Sequence, residues 1–126
     1  EPERGTVQVR TLGGWWTFTF PELAIESSAV ERLDASRLSD AVLGPVLGVT
    51  DLRTDPRVRF ASGVSPATEL ERTVTDGKAD VAFHLRAVRF EELAEVADAG
   101  GRMPPKTTWI EPKLRSGLTI YSLEDA

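Results

Sequence analysis

Residues 6–20 read TVQVRTLGGWWTFTF, and this stretch decides the fold. Over residues 6–12 valines alternate with polar residues, a pattern typical of a strand with one buried face. Residues 15–20 are rich in aromatic residues and threonine, which favour strands. Between the two runs lie Gly13 and Gly14, and glycine readily adopts the positive φ angles of a tight primed turn. The stretch therefore predicts a β-hairpin whose turn lies at the two glycines.

The second strand of this hairpin carries four aromatic side chains: Trp15, Trp16, Phe18 and Phe20. We interpret them as anchors of the sheet and the core, because an aromatic side chain buries a large apolar area when it packs. The alternative is that they line a ligand pocket. The sequence favours the first interpretation, since aromatic residues are common in strands for packing reasons alone.

Helix and strand signals continue along the chain. Helices are predicted from Asp34 to a break at Gly44-Pro45, from Ser65-Pro66 to Gly77, and over residues 90–99, while strands are predicted over residues 57–62, 79–85, 107–111 and 118–123. Proline at a first helical position and glycine just after a helix are the usual signals for its start and its end. In the third helix, apolar residues at helical spacing predict a buried stripe formed by Phe90, Leu93, Ala94 and Ala97.

The predicted order β-β-α-β-α-β-α-β-β places hairpins at both ends and strand–helix alternation between them. This order is typical of an α+β fold, a mixed and largely antiparallel sheet with about three helices packed on it. At 126 residues the chain has the length of a single domain. Its first residue is Glu1 rather than Met, so we expect residues 1–126 to be a piece of a longer protein.

Composition excludes some classes of function. The chain contains no cysteine, which excludes disulfides, thiolate metal sites and cysteine nucleophiles. The net charge of −5 argues against a nucleic-acid-binding protein, because such proteins are usually basic. Apolar runs are too short for a transmembrane helix, and we expect a cytoplasmic protein.

The main candidate site is the run MPPKTTWIEPKLRSG at residues 103–117. Its cations and hydroxyls are typical of an anion-binding site, and the candidate ligand-binding residues are Lys106, Thr107, Thr108, Lys113 and Arg115. Glu111 is a weak candidate for a general base or a metal ligand, and a structural ion pair explains it equally well. In an extended segment Lys106 lies roughly 20 Å from the other cations. The run is therefore one wall of a site rather than a complete one, unless these residues are solvated strand-end charges.

Two other residues have simpler interpretations. Asp34 is predicted to cap the first helix, because Asp is a preferred N-cap residue. His84 is predicted to be structural or exposed, since the chain has no second histidine with which to build a metal site. The sequence contains no Walker-type phosphate loop and no GxGxxG, GxSxG or HExxH motif, and it implies no particular cofactor.

The segments that carry a family resemblance are LDASRL at 33–38, LGVTD at 47–51, ELER at 69–72, DVAF at 80–83, VADAG at 96–100 and MPPKTTWIEPKLRSGL at 103–118. They closely resemble the C-terminal part of the bacterial DUF1015 family, whose function is undefined. The resemblance implies a longer chain, and the family's gene neighbourhoods point weakly to amino-acid or phospho-metabolite chemistry. The sequence departs from the family at residues 61–64, ASGV, where paired glycines are usual.

Three functions remain open from the sequence. The first is a ligand-binding wall in an enzyme or binding protein for a small anionic metabolite, with Lys106, Lys113 and Arg115 holding the anion. The second is a non-catalytic structural or interaction module that packs against the rest of a longer chain. The third is a nucleic-acid-associated protein, which the acidic composition disfavours.

Overall fold

The structure, a computed structural model, describes residues 1–61 and 66–108 of the chain. Its elements in chain order are β1 (Thr6–Thr11), β2 (Gly14–Thr19), α1 (Asp34–Leu38), a π-helical segment (Ser39–Leu43), α2 (Pro66–Thr75), β3 (Ala82–His84) and α3 (Phe90–Asp98). The three strands form one antiparallel sheet in the order β2-β1-β3. The predicted α+β class is confirmed.

The predicted hairpin is present, but its turn differs from the prediction by one residue. Thr11 pairs with Gly14, so Leu12 and Gly13 form the two-residue connection. The Gly13 N–H donates to the Thr11 hydroxyl at 3.2 Å, which closes the turn from the side of β1. The positive φ of 127° lies at Gly14, the first residue of β2, rather than in a primed turn at both glycines.

One face of the sheet carries the main core. It packs apolar side chains from the hairpin, from the end of β3 and from the α1 region, namely Val7, Val9, Phe20, Leu38, Val42, Leu43, Phe83 and Leu85. The alternation predicted for β1 is confirmed, since Val7 is buried and pairs with Phe18 on this face. Arg10 lies on the opposite face of the sheet, and its guanidinium is 3.4 Å from the Glu71 carboxylate of α2. The sheet therefore contacts helical segments through both of its faces.

The predicted strand over residues 57–62 is not present among the residues described there. Residues 57–61 lie outside the sheet, and Phe60 is 48% exposed. The Arg57 guanidinium binds the Asp55 carboxylate and donates to the Leu47 carbonyl at 3.0 Å. These contacts hold the segment as a loop across the end of the π-helical region, and among the described strands none pairs with it.

The helices match the predictions more closely at their ends than on their faces. Pro66 opens α2 and Gly77 follows it with a φ of 68°, as predicted. In α3 the predicted apolar stripe is wrong at both ends, because Phe90 is 77% exposed and Ala97 is also exposed. The buried face instead contains Val96 and the charged residue Glu92. No helix in the described part of the chain is long and apolar enough to cross a membrane.

Candidate functional site

The predicted anion-binding residues that the structure describes lie together in one turn. Lys106 follows Pro105 and has a φ of 59°, and the Thr107 hydroxyl donates to the Pro104 carbonyl at 2.8 Å. Lys106 and Thr108 are exposed, whereas Thr107 is half-buried. Thr107 and Thr108 are not in a strand, so the predicted strand over residues 107–111 is not present in its first two residues. The other predicted residues, Glu111, Lys113 and Arg115, lie outside the described residues.

The backbone of Lys106 is unusual for a residue with a side chain. Among the described residues other than glycine it is the one with a positive φ. The left-handed conformation costs an L-residue about 1–2 kcal/mol relative to the right-handed one. The two preceding prolines have fixed φ angles, and each keeps the residue before it extended. The turn therefore presents the Lys106 ammonium group on a short and locally restrained segment.

An apolar cleft of about 420 Å³ lies between the core face of the sheet and the π-helical region. Residues of all three strands, of the segment that follows β2 and of the π-helical region line it, mainly Val7, Val9, Phe18, Phe20, Val42 and Leu47. The one polar side chain of the lining is Thr19. The volume is within the range of sites that bind small molecules or single large side chains. An apolar group is the ligand chemistry that such a lining accepts.

β2 extends this apolar surface outward. Trp16 is 56% exposed and Phe18 is 55% exposed, and both lie on the core face because they pair with Val9 and Val7. We call these two residues the aromatic strip. Phe18 also lines the cleft, so the strip and the cleft form one continuous surface.

The prediction that all four aromatic residues anchor the core is therefore wrong for three of them. Phe20 is buried at 7% exposure and belongs to the core, as predicted. Trp15, Trp16 and Phe18 are exposed because, among the described elements, β2 contacts β1 alone and none of the helices packs against its faces. A strand that anchors a core and a strand that presents aromatic side chains have the same sequence pattern. The alternative interpretation, that the aromatic residues line a pocket, holds for Phe18 and Phe20.

A cluster of buried charges lies between the start of β1, α1, the end of β3 and α3. It consists of Asp34, Arg86 and Glu92, whose side chains are 5%, 9% and 9% exposed, and we call it the ionic cluster. The Arg86 guanidinium donates to the Glu92 carboxylate, with Nη1 to Oε2 at 2.9 Å and Nη2 to Oε1. Arg86 Nε lies 3.1 Å from Asp34 Oδ2, close enough for charge attraction but not aligned as a hydrogen bond.

The position of Asp34 corrects the prediction that it is an N-cap. Leu33 occupies the N-cap position, and Asp34 is the first residue of α1 with its side chain turned into the protein. Its carboxylate accepts a hydrogen bond from the Gly5 N–H at 3.0 Å, and Arg37 Nη1 lies 3.8 Å away. Asp34 therefore links the beginning of β1 to Arg86, because two cationic side chains and one backbone N–H converge on it.

Glu92 has a second function in the same cluster. The backbone N–H of Arg89, at the N-cap of α3, donates to Glu92 Oε2 at 3.0 Å, which caps the helix without a hydroxyl side chain. The hydrogen bonds from Arg86 lower the pKa of Glu92 below its ordinary value of 4.5, although burial opposes this. Both carboxylates of the cluster are thus held by cations and N–H groups, an arrangement that stabilises the fold. The sequence signal for it was the basic run HLRAVR before a helix with no hydroxyl cap.

His84 is structural, one of the two alternatives predicted for it. It is 8% exposed, and its Nδ1 lies 3.0 Å from Oε1 of Gln8 on the neighbouring strand. The edge of its ring packs against Trp15, with ring centroids 6.4 Å apart. Burial lowers the pKa of His84 below 6.5, which favours the neutral form of the ring.

Comparisons with known proteins assign neither a family nor a function to this site. No family model matches the chain, no curated protein matches it, and no solved structure matches it. The resemblance to DUF1015 stays a prediction.

Proposed function

We propose that this domain is a docking module that binds an extended, uncharged protein segment along β2 and in the adjoining apolar cleft. The observation that carries the proposal is the continuity of the two features: Phe18 belongs to the exposed aromatic strip and to the lining of the cleft. A large apolar patch at the surface is typical of an interaction site. Here the patch lies on an outer strand, where an added strand gains backbone hydrogen bonds as well as side-chain contacts.

The exposed area fits a contact of modest affinity. An aromatic side chain buries about 150–250 Å² in full, so the exposed halves of Trp16 and Phe18 together offer roughly 250 Å². At about 25 cal/mol per Å² their burial contributes roughly 6 kcal/mol before the cost of association. That cost is at least about 4 kcal/mol, so the remaining affinity depends on the backbone hydrogen bonds and on the cleft.

The test uses a fluorescein-labelled hexapeptide of alternating valine and threonine, followed by fluorescence anisotropy. Strand addition predicts saturable binding that an N-methylated version of the peptide loses, because it lacks the backbone donors. Leu47→Gln in the cleft is expected to weaken binding about fivefold. Ile25→Gln is the matched control, since Ile25 is fully exposed and is not part of the cleft. Equal binding of the methylated peptide, or equal loss in both variants, would contradict the proposal.

A second candidate function is the binding of a small anionic metabolite, as the sequence suggested. It is favoured by the strained backbone of Lys106, because residues held in sparsely populated conformations cluster at functional sites. Thr107 and Thr108 adjoin Lys106 in the turn, and Lys113, Arg115 and Glu111 follow in the sequence as further candidates. In this proposal the ammonium group supplies charge and the hydroxyls supply neutral donors.

Titration with inorganic phosphate and pyrophosphate, monitored by the thermal midpoint, tests this second function. Binding raises the midpoint because a ligand that binds only the folded state stabilises it. Lys106→Gln is expected to abolish the rise. Lys78→Gln is the control, since Lys78 is also an exposed lysine, paired with Asp76 at 2.9 Å and distant in sequence. A rise that survives in Lys106→Gln would exclude the lysine as a ligand.

Membership of the DUF1015 family is supported by the motif at residues 103–118. Packing against the rest of a longer chain would use an apolar surface of the kind that β2 presents. A cytoplasmic location is supported by the acidic, cysteine-free composition. The nucleic-acid alternative is disfavoured by the net charge of −5.

A further inference from the structure

We infer that the extended segment which docks on β2 is the β2 strand of a second copy of this chain. The inference rests on the proposed docking function and names its occupant. Two β2 strands would pair antiparallel about a two-fold axis at Thr17, and the two three-stranded sheets would join into one sheet of six strands.

The outer edge of β2 has none of the features that normally prevent such pairing. Natural proteins protect outer strands with charged residues, prolines or bulges. The six residues of β2, GWWTFT, contain no charge and no proline, and they pair with β1 in an unbroken register. In the part of the chain that the structure describes, no strand pairs with the outer edge of β2. An uncharged, regular edge of this length is a template for another strand.

The sequence of β2 is complementary to itself in this arrangement. A two-fold axis perpendicular to the sheet leaves the core faces of both copies on the same side of the joined sheet. Residues that lie opposite each other therefore have their side chains on the same face. With Thr17 opposite Thr17 of the second copy, Trp16 lies opposite Phe18 of the second copy, and the reverse pair forms as well. Aromatic cross-strand pairs each contribute about 0.5–1 kcal/mol. A two-residue shift would pair Trp16 with itself and leave Phe18 opposite Gly14.

The area that this pairing buries sets the expected affinity. Trp15, Trp16 and Phe18 together expose roughly 300 Å² per copy, or roughly 600 Å² for both. With the main chain and the threonines the total is at most about 1,000 Å², because side-by-side strands cover the flanks of these side chains and leave their outer faces open, and this is the low end for a specific interface. We therefore expect a reversible dimer with a Kd on the order of 10–100 μM rather than an obligate one.

The test is sedimentation equilibrium of the full 126-residue chain with charge variants at the symmetry axis. Thr17 is exposed, so Thr17→Lys and Thr17→Glu are compatible with the folded monomer. Each variant alone places like charges directly opposite each other and is expected to weaken dimerisation at least tenfold. An equimolar mixture places Lys opposite Glu and is expected to restore dimers. Thr54→Lys, in an exposed loop, is the matched control and is expected to dimerise like the unaltered chain.

Cross-linking gives a second readout of the register. The chain has no cysteine, so Thr17→Cys introduces a single thiol. Residues directly opposite each other have Cβ atoms about 4.5–5.5 Å apart, near the range that a disulfide spans. Mild oxidation is expected to yield covalent dimers of Thr17→Cys and few of Thr54→Cys.

Specific outcomes would overturn the inference. They are a chain that stays monomeric at millimolar concentration, a dimer that Thr17→Lys leaves intact, or a charge mixture that does not restore dimers. If the chain is monomeric but still binds the valine–threonine hexapeptide, the docking function stands and the occupant is a different strand, such as another part of the same polypeptide. If it is monomeric and does not bind the hexapeptide, the docking function fails as well.

Discussion

The ionic cluster and the aromatic strip are opposite exceptions to the usual distribution of side chains, because the cluster buries charged residues and the strip exposes apolar ones. The cluster buries Asp34, Arg86 and Glu92, residue types that are seldom buried unless they are paired, while the strip exposes Trp16 and Phe18. In the cluster each charge has an opposite charge in contact. In the strip the apolar area has no equivalent partner among the described residues. The buried charges of the ionic cluster therefore stabilise the fold, whereas the exposed apolar side chains of the aromatic strip are where binding is expected.

The largest effect is expected on removing the central cation of the cluster. Arg86→Leu leaves the Asp34 and Glu92 carboxylates buried without their shared partner, and breaking a buried pair in this way costs about 3–5 kcal/mol. The measurement is the free energy of unfolding in urea. Arg32→Leu removes the exposed pair with Glu95 and is expected to cost less than about 1 kcal/mol. Similar losses in both variants would show that burial of the cluster does not matter.

The strip is expected to respond in the opposite way. Trp16→Thr combined with Phe18→Thr removes most of the exposed apolar area of β2 and is expected to weaken strand docking and dimerisation more than tenfold. The cost in stability is expected to stay below about 1.5 kcal/mol, because each loses one cross-strand contact with a valine of β1. Anisotropy and urea unfolding of the same preparation separate the two effects. A large loss of stability with unchanged binding would make the strip part of the core.

A pH dependence reports on the cluster through Glu92, one of several carboxylates, Asp55 among them, whose pKa the folded state lowers. Arg86 lowers the pKa of Glu92 in the folded state below 4.5, so the unfolded chain binds a proton more readily. The stability from this interaction is complete above pH 4.5 and is lost as the pH falls through the folded-state pKa. His84, whose pKa burial lowers, contributes its own loss below pH 6.5. Glu92→Gln is expected to make the acid limb below pH 4.5 less steep in urea unfolding, with the part due to Asp55 retained, and to leave the limb between pH 5 and 6.5 unchanged.

The hairpin and the helix ends were predictable because their signals are local. Pro66 fixes its own φ angle, while Gly14 and Gly77 adopt positive φ angles that other residues disfavour, and the structure places a turn or a helix end at or beside each of them. The exposure of Trp16 depends instead on the order of strands in the sheet, which is a long-range property. Periodicity therefore locates a strand but does not show which of its faces is covered.

The buried charges were missed for a related reason. Asp34 before a helix has the sequence pattern of a cap, and its burial follows from Arg86, which lies 52 positions later in the chain. Glu92 lies in the first turn of α3, where the helix dipole favours a negative charge, and Phe90 is predicted to belong to the buried stripe. Glu92 is buried and Phe90 is exposed instead, because Arg86 draws the carboxylate inward. Lys106 was predicted as an anion-binding residue from its charge and its neighbours, but its positive φ carries no local signal, since lysine rarely adopts it.

The smallest effect is expected at Lys106, which combines features of both regions: it is charged like the cluster and exposed like the strip. Lys106→Gly relieves the positive φ and is expected to leave the free energy of unfolding unchanged or to raise it by up to about 1 kcal/mol. If the strained turn serves anion binding, the same variant loses the thermal stabilisation by pyrophosphate. Lys106→Asn is the companion variant, because Asn tolerates the left-handed region and lacks the charge. A decrease in stability in both variants, with the pyrophosphate response retained, would assign Lys106 to the packing of the turn and not to a ligand.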